Sequence, residues 1–82
     1  MKVHELKTVQ PHFDQVQNGQ KTFELRKNDR GFEWDDILIL KEYNPKSETY
    51  TGDYMVAKVI HILKNFPGID PDYCILSIKK LD

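Results

Sequence analysis

The chain has a single cysteine, Cys74, so an internal disulfide is impossible and a cysteine-rich zinc site is excluded. A lone thiol also points to a reducing compartment. Long hydrophobic runs are missing too: residues 37–40, and residues 59–63 with His61 among them, fall far short of a bilayer's thickness. The opening MKVHELKTVQ holds no apolar leader core. Nor is there an excess of either charge. Twelve Lys and Arg meet thirteen Asp and Glu, a formal net charge of −1, so no global field draws the chain to nucleic acid or anionic lipid. Any anionic partner has to be held by a local patch. These absences lead to the expectation of a soluble cytoplasmic protein with no membrane segment.

Signature loops are absent as well: there is no Walker loop, no GxGxxG and no serine-centred elbow. His4, His12 and His61 match no metal-ligand spacing, so no metal or cofactor is expected. What remains is a chain of 82 residues, enough for one core and one domain over residues 1–82.

The patterning is mostly that of strands. Residues 2–9 alternate loosely. Pro11 offers a helix start, with Phe13 and Val16 on one face and Asn18-Gly19 as a stop. From Thr22 the period becomes two, and Phe23 and Leu25 are expected in the core with Thr22, Glu24 and Arg26 on the polar face. A polar loop over residues 28–36 precedes the apolar run at residues 37–40, which reads as a strand buried on both faces or as a barrel wall. Residues 49–63 carry a further strand with a turn or bulge at Gly52-Asp53, and residues 73–81 close the chain with Cys74, Leu76 and Ile78 facing inward. The fold class is therefore mainly β (α+β), a small barrel of five to six strands with one short N-terminal helix, because curling the sheet removes exposed edges.

The stretch NGQKTFELRKNDRGF, residues 18–32, concentrates the candidate chemistry. Lys21 is expected at the helix-to-strand junction, turned toward Glu24 and Arg26, so that the three line one pocket. Such a trio can hold a phosphate, meet a base edge or supply a base. The alternative is an ion pair on a solvated strand face. Arg30, with Arg26, Lys27 and Phe32, extends a basic run with an interleaved aromatic of the kind that binds single-stranded nucleic acid, or else forms a charged loop whose Phe32 is core. His4 is expected near the pocket mouth, and Cys74 in the core as a small hydrophobe.

The pattern Gly19-x-Lys21-x-x-Glu24-x-Arg26 resembles the signature of ASCH domains, which belong to the PUA-like superfamily of small β-barrels. HELKT, Phe13, GQKTFELRKNDRGF, Asp36, YTG and the terminal ILSI are similar, more narrowly, to a small ASCH-related family found in phage and prophage regions. The resemblance implies a PUA-like barrel with a ligand cleft beside the early helix, lined by Lys21, Glu24 and Arg26. It also implies RNA or a nucleotide, including a modified nucleoside, as partner. One ASCH branch consists of amidohydrolases acting on an acylated cytidine, in which the counterpart of Lys21 is catalytic with a threonine and a glutamate. Here Glu24 stands where that threonine is expected, and residues 65–72 offer only Asp70 and Asp72 for the glutamate. A hydrolase using Lys21 and Glu24 and a phage-encoded factor that binds a host protein are the alternatives to a binding module. The small family also has a Gly-Asp pair before the apolar strand, where this chain has Trp34-Asp35-Asp36, so a turn needing positive φ is expected to be strained.

Overall fold

The computed structural model describes residues 1–81. Its elements run β1 (Val3–Thr8), α1 (His12–Gln17), β2 (Phe23–Lys27), β3 (Ile37–Asn44), β4 (Thr49–Leu63) and β5 (Tyr73–Lys80). The five strands form one sheet in the order β1-β3-β4-β5-β2, with β1 parallel to β3 and every other pair antiparallel. The sheet curls into a half-barrel. Its two edge strands approach each other where Arg26 of β2 reaches Lys7 and Thr8 of β1.

The apolar run that opens β3 reads as a barrel wall: Leu38 and Leu40 are fully buried inside, while Ile37 and Ile39 are half-covered outside. Met55, Ala57 and Val59 of β4 and Cys74, Leu76 and Ile78 of β5 fill the same interior. Burial raises the thiol pKa of Cys74, in keeping with a packing role. Phe32 reaches back from its loop into the core. Gly52-Asp53 is a bulge within β4, opposite Glu42, with Gly52 at φ 99°.

The short helix cannot stand alone, and it is fastened by Phe13 and Val16, both buried. Gln10 supplies its N-terminal bonds, accepting from Asp14 N–H and donating to Asp14 Oδ1. At the other end Gly19, at φ 85°, lets the chain reverse while its N–H bonds to Val16 O. Lys21 N–H then bonds to Gln15 O, which fixes the start of the candidate site against the helix.

The expected facing of β2 is reversed. Phe23 and Leu25 are 47% and 57% exposed, whereas Glu24 is 2% exposed. The period of two holds, but its phase is set by register with β5: Glu24 lies opposite Leu76 and Arg26 opposite Cys74, and antiparallel partners share a face. Since Leu76 and Cys74 are core, Glu24 and Arg26 must point inward.

Candidate functional site

A carboxylate inside a barrel is costly unless each oxygen is paired. Glu24 meets that condition. Its Oε1 accepts from Arg26 Nε at 3.1 Å and Arg26 Nη2 at 2.7 Å, and its Oε2 accepts from Lys21 Nζ at 2.9 Å. Arg26 goes further, donating from Nη1 to Lys7 O at 2.9 Å and from Nη2 to Thr8 Oγ1 at 3.2 Å. The guanidinium fork thus spans the seam between β1 and β2, a geometry a lysine ammonium could not reproduce.

Above this cluster lies a cleft of about 640 Å³, bordered by the end of β1 (Lys7, Thr8), one side of α1 (His12, Gln15), Lys21, and β2 from Phe23 to Arg26. Because β2 is an edge strand, side chains from both its faces border the opening. Phe23 and Leu25 bring apolar surface, and Lys21 Nζ lies 5.4 Å from the Phe23 ring centroid. Lys21 and Arg26 pair with Glu24, the single carboxylate among the lining residues, and Lys7 stands at the border, so the cleft is locally positive on a chain whose net charge is −1. Lys21 spends one of its three hydrogens on Glu24 and has two left for a ligand. The arrangement offers cations for an anion and a ring for a planar group.

Lys21, Glu24 and Arg26 therefore converge. His4 and Arg30 do not join them. His4 is buried, its Nε2 2.9 Å from Asp36 Oδ2 and its ring edge-on to Phe32. It points inward with Leu6 and Thr8, but sits four residues before Thr8 along β1 and so lies roughly 13 Å from the cleft end of that strand. Arg30 Nη1 donates to Glu5 O at 3.2 Å and does not border the cleft. Asp36 also accepts from Lys2 N–H and Glu33 N–H, each at 2.9 Å. Burial raises its pKa and is the largest single influence. The bonds from His4 and the two backbone N–H groups together outweigh it and bring the pKa from 3.8 to about 2. His4 and Asp36 thus form a structural clamp.

The cleft also has lining residues that no motif marks. Lys7, Thr8, His12 and Gln15 carry no motif; their signal is position, at the end of the first strand and on the helix flank adjoining Phe13 and Val16. Phe23 and Leu25, expected in the core from their apolar alternation with Glu24 and Arg26, border the cleft instead. Among the described residues no cluster of three or more His, Cys, Asp or Glu could hold a metal ion, and no helix is long and apolar enough to cross a membrane.

Residues 3–78 match the family described as Domain of unknown function (DUF3850). The chain belongs to that family. All cleft residues fall within the DUF3850 match, so the cleft is part of the family's domain. A protein of Escherichia phage P2, called "Uncharacterized 12.9 kDa protein in GpA 3'region", is 38% identical over 61 residues. The aligned part is 74% of this chain and 54% of that relative, so the chain spans about half the relative's length. This DUF3850 chain is thus similar to a phage-encoded protein over most of its own length.

Proposed function

We propose that the chain is a PUA-like module of the ASCH type whose cleft binds RNA or a nucleotide. The observation that carries this reading is the buried Glu24, which holds Lys21 and Arg26 together at the floor of a cleft rimmed by exposed Phe23. Solvated surface ion pairs contribute little to stability and do not explain a carboxylate buried beneath a cleft. Two cations aimed at one space suit a phosphate, and a ring beside them suits a base. The Gly19-x-Lys21-x-x-Glu24-x-Arg26 pattern and the half-barrel support the same reading.

A titration of the protein with mononucleotides and short single-stranded RNAs, followed by amide shifts, is expected to perturb residues 7, 8, 12 and 20–26. The affinity should fall as salt rises. Lys21→Ala should weaken binding about tenfold, because Lys21 has free hydrogens and Arg26 still holds Glu24. Shifts confined to other residues, or none at millimolar ligand, would sink the proposal. The hydrolytic alternative requires Lys21 Nζ to present a lone pair to the substrate. It predicts turnover of acylated cytidines that Lys21→Ala abolishes. A role in binding a host protein predicts that Lys21, Glu24 and Arg26 can all be replaced without loss of the partner.

A further inference from the structure

The outer face of the sheet next to the cleft carries a second set of cations and rings. In register, Lys7 lies opposite Lys41 and Lys41 opposite Tyr54, while Tyr43 lies opposite Tyr50 beyond the bulge. Partners in a sheet share a face, and Lys7 is on the exposed side of β1, so these residues form one surface. Lys7 Nζ sits 4.3 Å from the Tyr43 ring centroid and Lys41 Nζ 4.7 Å from that of Tyr50. The two rings meet edge to face with centroids 5.1 Å apart. Tyr50 and Tyr54 are 48% and 61% exposed. Three strands at their usual spacing make this a platform roughly 10 Å across.

Lys7 also borders the cleft, so the two surfaces are continuous. Glu5 is the carboxylate that joins this face, at 3.2 Å from Lys41 Nζ. Glu42, the next residue of β3, turns instead to Gln10 and Thr51.

Resting on the nucleotide reading of the cleft, we infer that this Tyr/Lys platform is a second subsite for single-stranded nucleic acid. One nucleotide occupies the cleft, and the bases that flank it in the strand stack on Tyr43, Tyr50 and Tyr54. The lysines now lying over the rings are poised for the phosphates between those bases: an exposed cation–π contact is weak enough to exchange for a phosphate. A duplex hides its base faces and cannot use such rings, so the fit is to an unpaired strand.

The test compares a mononucleotide with single-stranded RNA oligomers of two to six nucleotides on the full chain. Affinity should rise about tenfold for each of the first two or three bases added, in line with the usual contribution of base–aromatic stacking. With the longer oligomers, amide shifts should spread from the cleft to residues 41, 43, 50 and 54. The double variant Tyr50→Ala/Tyr54→Ala should keep the mononucleotide affinity of the wild type and lose the gain with length. Tyr50→Phe/Tyr54→Phe should retain that gain, because the ring does the stacking. The platform is overturned by an affinity independent of length, by oligomer shifts confined to the cleft, or by a length gain that survives the alanine pair. In those cases the cleft reading stands, whereas failure to bind at any length removes both.

Discussion

Glu24→Ala removes the acceptor from two cations that are themselves largely covered, so it should destabilise the fold by about 3 kcal/mol in urea unfolding. Lys21→Ala should cost much less, since Arg26 still pairs with the carboxylate. Asp35 offers the opposite prediction. It holds φ 70°, a left-handed conformation that glycine adopts at less cost, so Asp35→Gly should raise stability by about 0.5–1 kcal/mol, read as a higher urea midpoint at unchanged slope. Its 3.4 Å contact with Lys58 is too exposed to offset that gain. Residue types thus disclosed the trio and the strained turn. They could not disclose that Glu24 points inward, because apolar Phe23 and Leu25 favour the opposite phase and only the pairing with β5 decides between them. His4 was misplaced for a related reason: its partner, Asp36, is 32 residues away in sequence.

At the level of elements, most of the chain was legible. The strands, the helix with its buried Phe13 and Val16, and the bulge at Gly52 each follow from local period and turn chemistry. Pro11 precedes the helix as its N-cap, one residue from the expected place. The element least evident beforehand is the tie between the start of β1 and the loop before β3, made by Asp36 through Lys2 N–H, Glu33 N–H and His4. Its pH dependence has a definite sign. The Asp36 pKa in the fold, about 2, lies below its ordinary 3.8, so the tie is fully effective above the latter value and is lost as pH falls toward the former. The loss amounts to about 2 kcal/mol, and Asp36→Asn should flatten this acid limb of a stability profile followed by circular dichroism.

At the scale of the whole molecule, curling was foreseeable from the strand content, but strand order was not, because pairing between distant segments leaves no local trace. That order, β1-β3-β4-β5-β2, has a consequence for folding. The three central strands are consecutive in the chain and can form a meander by short closures, with Leu38, Leu40, Met55, Ala57, Val59 and Leu76 as its apolar lining. Everything that borders the cleft comes from residues 7–26, and that segment should attach afterwards, one end to each edge of the meander. Native-state hydrogen exchange should therefore find the amides of β1, α1 and β2 opening together at lower free energy than those of β3–β5. The cleft would be the last part to assemble and the first to come apart, so any molecule that occupies it holds the N-terminal third of the chain in place.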